Sequence, residues 1–64
     1  MKYTRNIKMR DLEEISDLPE DVQTLELVAR CYAVTVEQVR DMDVSEFKRC
    51  SEVVMERNGL DTGD

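Results

Sequence analysis

The chain has 64 residues, a net charge of −6, two cysteines and no histidine. A chain of this length forms one domain and buries only about 60% of the surface that its unfolded form exposes, so its core is small. Without histidine, a CxxC pair or an apolar run long enough to cross a bilayer, the composition argues against a zinc site and against a membrane span.

Cys31 and Cys50 are the only two cysteines. No signal-peptide pattern precedes them, so we expect the chain to act in the reducing cytoplasm of a cell. Free cysteine is among the residue types most often buried, and two small buried thiols are favoured over a Cys31–Cys50 disulfide.

Charge is unevenly distributed along the chain. The first ten residues contain four basic residues and no acid, whereas residues 11–64 contain five basic and fifteen acidic residues, a net charge of −10. A body this acidic repels phosphate backbones, which argues against nucleic acid as the main partner. The basic start has two readings, a frayed chain end or a segment that touches an acidic surface, its own body included.

The first half of the chain predicts an extended or disordered segment over residues 1–8, followed by two helices. A short helix runs from Met9 to Ile15, with Leu12 and Ile15 on one side. Pro19 sits at or near the first position of the second helix, where its missing N–H costs nothing, and this helix runs to about Ala33. Its apolar stripe, at helical spacing, is Val22, Leu25, Val28, Ala29, Tyr32 and Ala33.

Two capping boxes predict the remaining helices. Thr35 with Gln38 opens a short helix over residues 36–41, and Asp43 with Glu46 opens a helix from Val44 to about Arg57. Gly59 is placed to stop the last helix in a left-handed conformation, and residues 61–64 read as a disordered tail. The apolar stripe of the last helix is Val44, Phe47, Cys50, Val54 and Met55.

These elements predict an all-α fold, a small bundle of three to four short helices with a short extended N-terminal segment. We expect residues 9–60 to form the helical domain, with the second and fourth helices as its main packing pair. The centre of the core is predicted at Leu25, Val28, Tyr32, Phe47 and Val54.

Nothing in the sequence predicts catalysis. The acids lie at helix starts and on polar faces, no histidine can activate a serine or cysteine, and both glycines lie at the end of the chain, where they cannot form a phosphate loop. The spacing of Asp41, Asp43 and Glu46 does not fit a calcium loop. We therefore expect neither enzyme activity nor a cofactor or metal.

Three apolar residues lie away from the predicted stripes: Leu27 and Cys31 on the second helix and Val53 on the last. Scattered apolar surface residues are normal and need no explanation. Alternatively, they form a second apolar face that meets another chain, either a different protein or a second copy of this one. The sequence leaves both readings open.

Read in order, several segments resemble the small tail assembly chaperones of Mu-like and related long-tailed bacteriophages. They are Met9-Arg10-Asp11-Leu12, the Ala29-Arg30 pair, the turn and helix start over residues 31–39, Met42-Asp43-Val44-Ser45-Glu46-Phe47 and Ser51-Glu52-Val53-Val54. Together they cover roughly residues 9–55. The sequence departs from the family at Ala33, where a glycine is usual, and in the near absence of a β-rich start.

The resemblance implies a non-enzymatic protein of the bacterial host's cytoplasm that binds the tape measure protein, or another helical segment, and keeps it soluble during tail assembly. Residues 28–39 also resemble a helix-turn-helix DNA binder, with Ala29 and Val39 as packing residues and Gln38 and Arg40 facing a groove, although the net charge opposes this. A carrier domain is disfavoured because no Asp-Ser-Leu is present to take a prosthetic arm.

Overall fold

The computed structural model describes residues 2–60 and shows four helices, α1 (Met9–Ser16), α2 (Glu20–Tyr32), α3 (Val36–Arg40) and α4 (Val44–Arg57). Within residues 2–60 there is no strand, so the predicted all-α class is confirmed. The predicted disordered tail, 61–64, lies outside the described residues. None of the helices between residues 2 and 60 has the length and apolarity of a membrane span.

Helix α2 is the centre of the bundle, because α1, α3 and α4 each pack against it. Because three helices pack around α2, more than one side of it is buried, and five of its last six residues are buried. The buried apolar cluster is Ile15, Leu27, Val28, Ala29, Cys31, Tyr32, Val39 and Val54. Of the residues expected at the centre, Val28, Tyr32 and Val54 lie within this cluster, and Leu25 and Phe47 are half-buried against it.

The turn after α2 is built without glycine. Ala33 has a φ of 55° and a ψ of 45°, the left-handed conformation, and the N–H of Val34 donates to the carbonyl of Ala29 at 3.0 Å. Placing Ala33 in the apolar stripe is therefore wrong, because this residue ends the helix and is exposed. Pro19 is the N-cap residue, one position before the first helical residue.

The two predicted capping boxes differ in outcome. At α3 the box is present: Thr35 Oγ1 accepts from the N–H of Gln38 at 3.1 Å, and Gln38 Oε1 accepts from the N–H of Thr35 at 2.9 Å. At α4 the prediction is wrong, because the Asp43 side chain makes no capping hydrogen bond. Asp43 is exposed.

Helix α4 presents a narrow inward face. Val54 is its one buried residue among those described, and Val44, predicted to face inward, is 71% exposed. At 100° per residue Val44 lies about 80° round the helix from Val54, so it falls on the flank. The helix ends as expected at Gly59, whose φ is 65°, and the N–H of Leu60 donates to the carbonyl of Met55 at 2.9 Å.

Candidate functional site

The N-terminal segment, residues 2–8, lies against the end of α2. Both the N–H and the Oγ1 of Thr4 donate to the carbonyl of Cys31 at 2.7 Å, and the N–H of Arg5 donates to the same oxygen at 3.3 Å. Since a helix end leaves its last carbonyls without intrahelical partners, the segment supplies donors that α2 lacks there. Of the two readings of the basic start, the structure shows contact with the chain's own body.

This arrangement corrects the predicted second apolar face. Cys31 is fully buried and Leu27 is 8% exposed, so neither forms an exposed patch. The N-terminal segment lies against the end of α2 at Cys31, and Leu27 belongs to the buried apolar cluster. Val53, on α4, is half-buried. The three residues therefore do not form one common surface in the folded chain.

Asp11 is the only buried charged residue among those described. Its Oδ2 accepts from Arg5 Nη1 at 2.8 Å and from the N–H of Lys8 at 2.9 Å, and its Oδ1 accepts from Arg30 Nη1 at 2.8 Å and Arg5 Nη2 at 3.2 Å. One carboxylate thereby joins the N-terminal segment, the start of α1 and the last turns of α2. Burying a charge is costly unless it is paired and hydrogen-bonded, and here both conditions hold.

The same hydrogen bonds shift the pKa values of Asp11 and Arg30. The Arg5 guanidinium, followed by the Lys8 N–H and Arg30, holds the pKa of Asp11 well below its ordinary value, against the opposing effect of burial. The hydrogen bonds that Arg30 donates to Glu26 and Glu14, with a smaller effect from the one to Asp11, raise the pKa of Arg30. Asp11 and Arg30 are therefore both charged at neutral pH. A carboxylate with so low a pKa is unsuited to act as a general acid or base.

Sequence reasoning found one contact of this cluster and missed its centre. The pair between Glu26 and Arg30, which their spacing of four residues on one helix predicts, is present, with Nε to Oε1 at 2.9 Å. The same guanidinium also contacts Glu14 at 2.7 Å and Asp11 at 2.8 Å, which spacing within one helix cannot reveal. The available signal was the resemblance itself, because its Asp-Leu and Ala-Arg segments supply the two residues that meet.

A second cluster fixes the other side of the N-terminal segment through Asn58, the C-cap of α4. Asn58 Oδ1 accepts from the N–H of Ile7 at 2.6 Å, and its Nδ2 donates to Val54 O at 2.7 Å and to Tyr3 Oη at 3.1 Å. The side chain therefore links both ends of the described chain. No buried side-chain nitrogen or oxygen among residues 2–60 lacks a partner.

Aromatic contacts complete this cluster. The rings of Tyr3 and Tyr32 lie 5.5 Å apart at 84°, an edge-to-face pair, and the Arg57 guanidinium lies 4.9 Å from the Tyr3 centroid. Burial raises the pKa of Tyr32 to about 12, so the phenol is neutral at neutral pH. Tyr3, expected in an extended or disordered segment, is thus a packed residue.

The outer surface carries two large exposed apolar side chains, Met9 at 70% and Val44 at 71% exposure. Met9 lies in an open cleft of about 480 Å³, lined by Arg5, Lys8, Met9, Arg10 and Asp11, which we call the basic cleft. A smaller cleft of about 280 Å³ lies along α4, between Ser51, Glu52, Met55 and Glu56. Both clefts are open to the surface.

The side chains that could bind a metal are dispersed over the described residues. Within residues 2–60 no three His, Cys, Asp or Glu side chains are grouped so that they could hold a metal ion. Cys31 and Cys50 are free thiols; Cys31 is buried, as predicted, whereas Cys50 is only half-buried. What the described surface can do is present charge and apolar area to a partner.

The helix-turn-helix alternative is weakened by the dimensions of α3. Ala29 and Val39 are buried, as that motif would require. However, α3 has five residues and is about 7.5 Å long, shorter than the roughly 12 Å width of the major groove. Its exposed surface also pairs Arg40 with Glu37, with Nε to Oε1 at 3.9 Å.

A model of the family described as "Phage tail assembly chaperone proteins, E, or 41 or 14" matches residues 4–58. This chain belongs to that family. The match spans every helix of the chaperone and reaches into the N-terminal segment as far as Thr4. No curated protein and no solved structure matches the chain.

Membership settles the class of function. Tail assembly chaperones are non-enzymatic and act on the tape measure protein, so the resemblance and the expectation of no enzyme activity are confirmed. The matched region includes Arg5, Asp11, Arg30 and Asn58, the residues that hold the N-terminal segment to the bundle. In this chaperone the segment is therefore part of the family domain.

Proposed function

We propose that this chaperone binds the tape measure protein directly and keeps its apolar helical stretches in solution until the tail tube assembles around them. The observation that carries the proposal is the family match over residues 4–58. It acts in the cytoplasm of the bacterial host, where tails are assembled.

The surface of the chaperone supports this role. Residues 11–64 have a net charge of −10, and a strongly charged surface opposes aggregation of a complex that contains apolar segments. Met9 is exposed, and methionine adapts its shape to varied apolar partners. An amphipathic helix laid against such a surface is a common mode of peptide recognition.

Co-expression tests the proposal. The tape measure protein of the same phage genome is produced with and without the tagged chaperone, and its soluble fraction is measured after centrifugation. We expect the tape measure protein to precipitate alone, to stay soluble with the chaperone, and to co-purify with it at a mass given by light scattering.

An unrelated acidic helical protein of similar size and charge serves as the control, because it shares the charge of the chaperone without its surface. If that control solubilises the tape measure protein equally well, or if no complex co-purifies with the chaperone, direct binding is refuted. The mass of the complex also reports whether one or several copies of the chaperone bind.

A further inference from the structure

The basic cleft is an unusual surface on an acidic protein. Three of its five lining residues are Arg5, Lys8 and Arg10, and a fourth is the exposed Met9. The chain as a whole has a net charge of −6. Cations gathered around an exposed apolar side chain on such a body are the complement of an anionic, partly apolar ligand.

The charges in the cleft are available to a ligand. Its single acid, Asp11, is already paired with Arg5 and Arg30. No carboxylate of residues 2–60 lies within 4.0 Å of the ammonium of Lys8 or the guanidinium of Arg10. Both residues are exposed, so their charges face solvent next to Met9.

Hydrogen bonds hold the backbone at the basic cleft in place. Asp11 fixes the backbone of Lys8 through the bond between its Oδ2 and the Lys8 N–H, at 2.9 Å, and Asn58 fixes the preceding residue, Ile7, at 2.6 Å. A surface whose backbone is already ordered loses little conformational entropy when it binds a ligand. This favours recognition by the cleft in its present shape.

We propose that the basic cleft docks an acidic amphipathic segment of the tape measure protein, whose carboxylates pair with Lys8 and Arg10 while an apolar side chain packs on Met9. The proposal rests on the proposed function and adds the place of binding and the chemistry of the bound segment. A protein ligand is favoured over nucleic acid because Met9 offers apolar contact and the −10 charge of residues 11–64 repels a polyanion.

Charge reversal with a matched control tests the ionic part. The double variant Lys8→Glu with Arg10→Glu changes the net charge from −6 to −10, and so does the control Lys48→Glu with Arg49→Glu on α4. All four residues are exposed. Binding of purified tape measure protein is measured by titration calorimetry, after circular dichroism has verified the helical content of both variants.

We expect the cleft variant to bind about tenfold or more weakly and the control to stay within about twofold of the unaltered chaperone. Overlapping peptides of the tape measure protein should bind in order of their negative charge, and their affinity should fall as salt rises. Equal affinity of the two double variants would overturn the proposal while leaving the proposed function intact, since the unaltered protein would still bind.

The apolar part has its own matched pair, because Met9 and Val44 are almost equally exposed. We expect Met9→Gln to weaken binding by about threefold or more and Val44→Gln to leave it unchanged. A short single-stranded oligonucleotide is the competitor that separates the two classes of ligand. If it displaced the tape measure peptide at equal concentration, the cleft would be a general polyanion site and the proposal would be wrong.

Discussion

At the scale of single residues, Asp11 is the buried charge on which the N-terminal segment, α1 and α2 meet. Asp11→Asn removes the charge that pairs with Arg5 and Arg30, and we expect it to lower the free energy of unfolding by about 2 kcal/mol. The control is Glu14→Gln, since Glu14 contacts the same Arg30 but its side chain is 56% exposed, and we expect it to cost less than about 1 kcal/mol. Urea denaturation of both variants measures the difference, and equal losses would contradict a special role for Asp11.

Ala33 adopts a left-handed conformation that is strained for alanine and relaxed for glycine. A left-handed conformation costs a residue with a Cβ about 1–2 kcal/mol, whereas glycine adds about 0.4–1 kcal/mol of entropy to the unfolded chain. We therefore expect Ala33→Gly to raise the free energy of unfolding by roughly 0.5–1 kcal/mol, as measured by the urea midpoint. A drop in that midpoint would show that the turn is not left-handed in solution.

At the scale of the helices, the two capping sequences make a direct comparison. Thr35 caps α3 through its hydroxyl, so Thr35→Ala should cost about 1 kcal/mol, while Asp43→Ala should cost less than about 0.5 kcal/mol because Asp43 makes no capping bond. Thermal denaturation of the two variants checks the order. A larger loss at Asp43 would mean that its carboxylate does cap α4 in solution.

The elements themselves were largely predictable because each helix start and stop depends on near neighbours in sequence. Pro19, Thr35 and Gly59 act through residues within a few positions, and the observed bounds lie close to those expected. The predictions for Ala33 and Asp43 failed locally, at helix ends, whereas the prediction for Leu27 and Cys31 failed because of the packing of distant segments. Leu27 and Cys31 lie off the predicted stripe, and the sequence does not show that three helices and residues 2–8 all pack around α2.

The site was less predictable than the fold for the same reason. The basic cleft joins the N-terminal segment to the first turn of α1, and its free cations depend on Asp11 being taken up by Arg30, 19 residues away. The charge asymmetry between the two parts of the chain was visible in the sequence. The sequence did not show which of these cations are left without an acidic partner, because that depends on the ion pairs in the folded chain.

At the scale of the whole molecule, we expect the free energy of unfolding of the chaperone to fall at low pH because of Asp11. The folded pKa of this carboxyl lies below its unfolded value of about 3.9, so its contribution is fully present above that pH and is lost as the pH falls further. We expect the difference in unfolding free energy between the unaltered protein and Asp11→Asn to stay constant from about pH 7 to about pH 5 and to shrink below about pH 4. A difference that persists unchanged at about pH 2.5 would refute the assignment.

The two thiols differ in burial, so their labelling rates can measure a local opening of the protein. Cys31 is fully buried beneath the first residues of the chain, whereas Cys50 is partly accessible. An alkylating reagent should therefore label Cys50 faster than Cys31 in the native protein. It should reach Cys31 only when the N-terminal segment detaches from α2. The slow labelling rate would report the free energy of that local opening, without any engineered probe.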